Sequence, residues 1–317
     1  MPGQTVDCMN QCPESGLSAT VFEIERYATA DGPGIRSVVF FKGCSLSCSW
    51  CQNPESRSPL PQVMYSRDQC TACRRCLDVC PAGAIREVAP LGFVTDHRVC
   101  TRCGACVDAC FSDARKIAGE RMPLDVIMDE LRRDQPYYAE SGGGVTFSGG
   151  EPLLQADAAG ELARRCRGEG IHTALETAGH VPWSSFELLL PWLDLLYFDL
   201  KHIDSERHLA FTGVPLDLIL ANLRRASERI ENLVVRIPIV PGVNAAEDTV
   251  RRMFSYLAEN TRVRNVELLP FHRLGRGKYE GLGLPYLMAD VQSVTSDGCA
   301  PLAEIGRNLG LAVQVGF

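Results

Sequence analysis

Short apolar runs alternate with amphipathic stretches over most of the chain. Runs rich in β-branched and aromatic residues occur at Ser37–Gly43, Val145–Ser148, His172–Glu176, Leu195–Leu200, Leu233–Ile239 and Asn265–Leu269. Between them, apolar residues recur at helical spacing over Leu124–Asp134, Asp157–Gly168, Ser184–Leu190, Leu216–Ile230 and Glu247–Asn260, the mark of helices with one buried face. A closing helix near Pro301–Leu309 and a terminal strand at Leu311–Val315 complete the pattern. Six successive strand–helix units predict an α/β fold. Right-handed crossovers would curl these units into a partial (β/α)6 barrel with functional loops at the carboxyl ends of the strands. A flat doubly wound sheet has the same periodicity, so the pattern alone leaves closure open.

The alternation breaks once. Between the first two units lies a segment with eight cysteines, bounded by Ser58-Pro-Leu-Pro61. The expected organisation is a flexible tail at 1–19, an α/β body at 20–58 and 119–317, and an insert at 59–118.

The chain has 317 residues, 45% hydrophobic and 22% charged, with a net charge of −7. No basic run is present, which argues against nucleic acid as a main partner. No apolar stretch approaches the ~18 residues of a spanning helix. The polar Met1–Ser18 segment has no signal-peptide core, so a soluble cytoplasmic protein is expected. In that setting fifteen cysteines point to metal binding or catalysis rather than disulfides. Eleven fall into three groups, leaving Cys8, Cys12, Cys166 and Cys299 outside. Cys166 lies on an expected helix as a buried thiol, and two thiols in a tail are poorly preorganised for a metal.

Cys44-x3-Cys48-x2-Cys51 directly follows the first apolar run. Three thiolates on one loop can each hold an iron of a four-iron cubane, leaving the fourth iron open to a ligand. A zinc site would need a fourth ligand such as histidine, and none is nearby. In the insert, Cys70-x2-Cys73-x2-Cys76-x3-Cys80-Pro81 is followed by Cys100-x2-Cys103-x2-Cys106-x3-Cys110. This is the bacterial two-cluster ferredoxin pattern, in which the fourth cysteine of each run ligates the other cluster. One cluster would take Cys70, Cys73, Cys76 and Cys110, and the other Cys100, Cys103, Cys106 and Cys80. Fully ligated clusters transfer electrons and bind no substrate. Phe111 stands where the pattern would repeat proline. Zinc ribbons are the alternative reading of the paired runs.

The three-cysteine loop at a strand end resembles the radical S-adenosylmethionine (SAM) superfamily. The preceding Asp31-Gly-Pro-Gly-Ile-Arg36 and the following Gln52-Asn-Pro-Glu55 are similar to those of glycyl-radical-enzyme activating enzymes, a family with a subgroup carrying a ferredoxin-like insert. The resemblance covers essentially the whole chain beyond Thr20. It implies three 4Fe-4S clusters and SAM as cofactors. The amino and carboxylate groups of SAM would chelate the open iron, and one electron would split the sulfonium into methionine and a 5′-deoxyadenosyl radical. That radical would take a hydrogen from a glycine of the partner enzyme.

Ser148-Gly-Gly-Glu151 resembles the family's Gly-Gly-Glu element, so Gly149, Gly150 and Glu151 are expected at the cofactor, with Glu151 accepting from the methionine ammonium. By the same resemblance Glu176, Thr177, Asp199, Lys201, Arg236 and His272, all at or near strand ends, surround the cofactor. Glu176 and Asp199 are also candidates to coordinate a monovalent cation, although the family usually carries aspartate at the position of Glu176. Asp31, Gly32, Pro33, Gly34 and Arg36 are expected to meet the partner's glycine loop. A low-potential electron donor such as flavodoxin or ferredoxin is implied as a second partner. Two alternatives remain: a radical SAM enzyme acting on another substrate, against which the Asp31–Arg36 motif counts, and a ferredoxin-like electron carrier, against which the open-site triad counts.

Overall fold

Strand β1 (Ser18–Ala28) opens the computed structural model, which describes residues 16–316, and runs antiparallel to β2 (Arg36–Phe41). Cys8 and Cys12 lie outside the described residues. The next segment forms β3 (Gln62–Tyr65), α1 (Arg75–Asp78), β4 (Ile85–Val88), β5 (Gly92–Thr95), α2 (Ala105–Asp108) and β6 (Arg115–Ala118). Then β7 (Glu120–Pro123) pairs antiparallel with β1. The chain continues through α3 (Leu124–Arg132), α4 (Gln135–Ser141), β8 (Gly144–Gly149), α5 (Ala156–Gly168), β9 (His172–Thr177), α6 (Trp183–Leu189) and β10 (Leu195–Asp199). It ends with α7 (Ser205–Thr212), α8 (Asp217–Ser227), β11 (Leu233–Ile239), α9 (Glu247–Asn260), β12 (Asn265–Pro270), α10 (Arg276–Leu282), α11 (Ser296–Asn308) and β13 (Ala312–Val315).

The main sheet has nine strands in the order β13-β12-β11-β10-β9-β8-β2-β1-β7. From β2 to β13 every neighbouring pair is parallel, so each crossover helix carries the chain one strand onward. The edge strands β7 and β13 do not pair with each other among the described residues, and the sheet is open.

Strand alternation gives the sheet two chemically different faces. One face, with Val39, Phe41, Val145, Phe147, Leu175, Leu196, Phe198, Val235, Ile237 and Leu268, packs under the helices in the main core. Full burial of each such side chain contributes roughly 1.5–3 kcal/mol. The other face carries Arg36, Thr146, Ser148, Glu176, Tyr197, Asp199, Arg236 and Glu267, a polar surface that a purely structural sheet would not need.

The helical periodicity located α3, α5, α6, α8 and α9, whereas α4, α7 and α10 carry weaker apolar patterns. β1 begins inside the expected tail, because Ala19 and Val21 are buried in its packing. α11 starts at Ser296, ahead of the expected Pro301, capped by the Thr295 hydroxyl accepting from Gly298 N–H at 3.2 Å. Pro301 is the sixth residue of that helix, and lacking an N–H it leaves the Asp297 carbonyl without its intrahelical donor.

The insert builds two small antiparallel pairs, β3 with β6 and β4 with β5, around its own core of Val63, Tyr65, Ile85, Phe93, Cys106 and Ala114. Its halves repeat thirty residues apart: left-handed backbone recurs at Ala72 and Arg102, Arg74 and Gly104, and Gly83 and Asp113.

Candidate active site

The loop after β2 is tied down on both sides by backbone bonds. Gly43 N–H donates to Ser56 O at 2.7 Å, and Cys44 N–H to Arg57 O at 3.2 Å. Ser47 N–H donates to Thr212 O at 2.8 Å and Ser49 N–H to Phe211 O at 2.9 Å, both at the end of α7. Trp50 anchors the loop in a small core with Val240, Val243, Phe271 and Met288. The loop is therefore preorganised by the fold. Burial pushes the Cys44 thiol up to about 12 and the Cys48 thiol up to about 11. Metal loading must release those protons.

Cys44, Cys48 and Cys51 line an open cleft of about 280 Å³. The opposite wall comes from successive strand ends: Ser148, Gly149 and Gly150 after β8, Glu176 and Thr177 on β9, Asp199 and Lys201 at β10, and Arg236 on β11. Seven residues expected at the cofactor from motif position, all but Glu151 and His272 of the set, thus share one cavity with the open-site cysteines. Among the described residues no three His, Cys, Asp or Glu side chains close around a single metal ion. A mononuclear zinc site would need four ligands within about 2.3 Å of one point. The three thiols suit a larger cluster.

The glycines are demanded by close approach. Gly149 has φ +116° and its backbone lies against Phe41; a Cβ on Gly150 would stand 2.2 Å from Gly43 O. The cleft's charges are matched internally. Lys201 Nζ donates to Asp199 Oδ2 at 2.7 Å. Burial works against the Lys201 charge, but Asp199 and Cys48 outweigh it and hold its pKa above the usual value. Arg236 lies with its guanidinium 3.6 Å from the centroid of the Tyr197 ring and pairs with both Glu176 and Glu267. Ser148 donates to the second oxygen of Glu176. Burial raises the Glu176 carboxyl, with Arg236 opposing.

Glu151 differs from its expectation. It is fully buried behind the cleft wall, accepting from Thr177 Oγ1 at 2.8 and 2.9 Å, Ala178 N–H at 3.0 Å and Leu153 N–H at 3.2 Å. Burial pushes its carboxyl up to about 7. Its contacts brace the turns after β8 and β9. His272 is half-buried off the cleft wall, its ring accepting from Leu274 N–H at 3.4 Å and its carbonyl from Gln52 Nε2 at 2.9 Å.

The Asp31–Arg36 segment turns across the polar face of the sheet. Thr146 Oγ1 donates to Asp31 O at 2.7 Å and Arg236 Nη2 to Ala30 O at 3.2 Å. Arg36 is fully buried and donates to Thr146 Oγ1, Val145 O and Pro33 O. Arg36 thus holds the segment in place, while Pro33 is exposed. Gly34 has φ +68° and packs against the Gly143 backbone, just ahead of β8.

In the insert, each fourth cysteine crosses to the other run. Cys70, Cys73, Cys76 and Cys110 line one small pocket. Cys80, Cys100, Cys103 and Cys106 line a second. Cys166 and Cys299 are buried in the main core, away from all three groups.

Residues that carried no motif signal complete the site. α10 lies between the insert and the cysteine loop: Tyr279 OH donates to Cys51 O at 3.0 Å, and Lys278 Nζ reaches Asn53 Oδ1 and Glu55 Oε1, each at 2.7 Å. On its other side a Cβ on Gly281 would meet Tyr65 O at 2.8 Å. Only the tertiary fold brings these together.

Comparison with known proteins agrees with this geometry. Residues 38–253 match the model of the Radical SAM superfamily. The chain is 41% identical to the (2S)-3-sulfopropanediol dehydratase activating enzyme of Klebsiella oxytoca, over 90% of each chain. It is 42% identical to the choline trimethylamine-lyase activating enzyme of Oleidesulfovibrio alaskensis, over 84% of this chain and 88% of that one. Identity is 40% to the indoleacetate decarboxylase activating enzyme of Tractidigestivibacter scatoligenes, over 91% of this chain and 94% of the relative.

Proposed function

The chain belongs to the Radical SAM superfamily and, within it, to the activating enzymes of glycyl radical enzymes, and we propose that its cleft is built for that reaction by the residues described above. Its activity is the generation of a glycyl radical on a partner enzyme at the expense of SAM. Cys44, Cys48 and Cys51 would hold a 4Fe-4S cluster, which would supply the single electron that splits SAM into methionine and a 5′-deoxyadenosyl group, and the hydrogen taken from the glycine would complete 5′-deoxyadenosine.

The protein's own part is positioning and electrostatics. The observation that carries the reading is the shared cleft of the three cysteines and the four strand ends. Gly149 and Gly150 expose backbone for close approach of the methionine part of SAM. Glu151 braces Thr177 and Ala178 rather than meeting the ammonium itself. Arg236 and Lys201, already paired with Glu176 and Asp199, take the place of a monovalent cation. The Asp31–Gly34 segment, pinned by Arg36, lies where it can receive the partner's glycine loop.

The polar face of the open sheet reads as the inside of a partial barrel. Support comes from Arg236 on β11 reaching Ala30 beside β2, which a flat sheet of ~4.8 Å strand spacing would hold far apart. The insert, residues 59–118, reads as a ferredoxin-like unit holding two further 4Fe-4S clusters. The crossed pairing of cysteines in its two pockets supports this. Its task would be to relay electrons from a low-potential donor such as a ferredoxin or flavodoxin. The decisive experiment combines anaerobically reconstituted protein, SAM, reductant and the partner. It should form 5′-deoxyadenosine together with the paramagnetic resonance (EPR) doublet of a glycyl radical. Deoxyadenosine formed with no radical on any glycyl radical enzyme would turn the assignment to another radical SAM reaction.

A further inference from the structure

Arg57 stands six residues beyond Cys51, outside every motif identified above. One of its Nη atoms donates both to the backbone oxygen of Cys48 and, at 2.8 Å, to Tyr279 Oη. Tyr279 in turn donates to Cys51 O at 3.0 Å, and the guanidinium lies over the Tyr279 ring at 5.4 Å. Tyr279 is buried and its ring packs on Tyr286, with centroids 4.8 Å apart. The guanidinium is therefore fixed on two sides against the backbone of two cysteines.

Two polar groups in this arrangement are left over, the Tyr286 hydroxyl and one N–H of Arg57. Arg57 Nε–H is buried and has no hydrogen-bond partner among the described residues. A buried N–H of a charged group without an acceptor is costly, and native structures rarely leave one so. The guanidinium already lies on the backbone oxygen of Cys48, whose sulfur would carry negative charge once it ligates a cluster, so sulfur of that cluster is a suitable acceptor for the unpaired N–H.

We infer that Arg57 donates its Nε–H to sulfur of the cluster held by Cys44, Cys48 and Cys51, and that Tyr279 holds it in that pose. The inference rests on the cluster assignment above. Its consequence is a reduction potential set partly by one arginine. Hydrogen bonds to sulfur and nearby positive charge favour the more negative, reduced state and raise the potential. Arg57 thus eases reduction of the open-site cluster by the electron that arrives from the insert.

The test is a potentiometric EPR titration of the intact, reconstituted enzyme with and without SAM. The signal that changes on adding SAM belongs to the open-site cluster, and the unaffected signals belong to the insert. Arg57→Gln should move the SAM-responsive midpoint to more negative potential by at least a tenfold step in the redox equilibrium, 59 mV for one electron. The insert signals should stay in place. Arg57→Lys keeps the charge without Nε and should give part of the shift. Tyr279→Phe keeps the ring and loses the hydroxyl tether, so it should shift the same signal in the same direction with iron content unchanged. That variant decides the matter if the Arg57 variants lose iron. A SAM-responsive midpoint equal to wild type in Tyr279→Phe and in any iron-replete Arg57 variant overturns the inference, as does a shift shared by all signals. Absence of any SAM-responsive signal in the wild-type protein would instead overturn the cluster assignment itself.

Discussion

Gly150 offers a substitution whose consequence follows from distances alone. It directly follows β8 with its N–H donating to Phe41 O at 2.9 Å, while Glu151 N–H donates to Gly43 O at 2.8 Å. Its φ lies outside the left-handed region, so alanine meets no backbone strain there. The added Cβ would stand 2.2 Å from Gly43 O and 2.8 Å from the Gly43 carbonyl carbon. Both neighbours are backbone and cannot rotate away. Relief requires Gly43 to retreat by roughly 1 Å, and Gly43 is bonded to Cys44. Overpacking of this kind costs about 1–3 kcal/mol, while a ~1 Å displacement of a positioned group can cost about a hundredfold in rate. Gly150→Ala should therefore lower the thermal midpoint modestly and SAM cleavage by one to two orders of magnitude. Gly168→Ala is the control, since a Cβ there has nothing within 4 Å. The assay is 5′-deoxyadenosine formed per enzyme with excess dithionite, beside iron content and thermal unfolding. Wild-type turnover in Gly150→Ala would refute the view that the β8 end and the cysteine loop act as one rigid unit.

The clusters can be counted: reconstituted protein should hold about twelve irons, and Cys44, Cys48 and Cys51 changed together to alanine should leave about eight; loss of all iron would show that the three sites are not independent. Glu151 titrates at about 7 in the folded protein against an ordinary 4.5. Its stabilising contribution is thus fully present below about 4.5 and lost as pH rises through about 7, worth about 3 kcal/mol. Denaturant midpoints across that interval should fall with pH in the wild type and flatten in Glu151→Gln. Replacing potassium by sodium or choline should leave SAM affinity unchanged, because Arg236 and Lys201 already neutralise Glu176 and Asp199; a strong potassium requirement in calorimetry would contradict this. Removing Cys73 and Cys103 should slow SAM cleavage driven by a ferredoxin or flavodoxin more than cleavage driven by a small chemical reductant, and equal losses would reject the relay.

What the sequence made legible was local or periodic. The cluster cysteines announce themselves because ligands on one loop must be spaced to reach one cubane, and the strand ends because alternation marks each strand. Gly149 and Gly150 follow from the same logic, since backbone can approach backbone that closely only without Cβ. Glu151 was expected at the methionine ammonium, and the contacts the fold gives it are to its own backbone neighbours and the next strand. Nothing in a Gly-Gly-Glu triplet says that the side chain turns back to brace Thr177 and Ala178 on the next strand. Likewise Arg36 reads as a surface group beside Pro33, yet its guanidinium is buried against Thr146 and Val145.

The residues missed altogether belong to contacts made across the chain. Gly275 N–H donates to Gln52 Oε1 over 223 positions of sequence, and Arg57 meets Tyr279 over 222. No periodicity or spacing can encode such a pair, because it exists only once six parallel strands have brought the loop after β12 back to the loop after β2. That return has a physical purpose. The cysteine loop lies between α7 on one side and α10 on the other, and α10 also packs on the insert through Gly281. A loop held only by its own strand could shift each time charge arrived. Held from both sides, and on one of them by a helix that also touches the insert, it keeps one geometry. The helix least visible in the sequence is thus the one that joins the insert to the open-site cysteines.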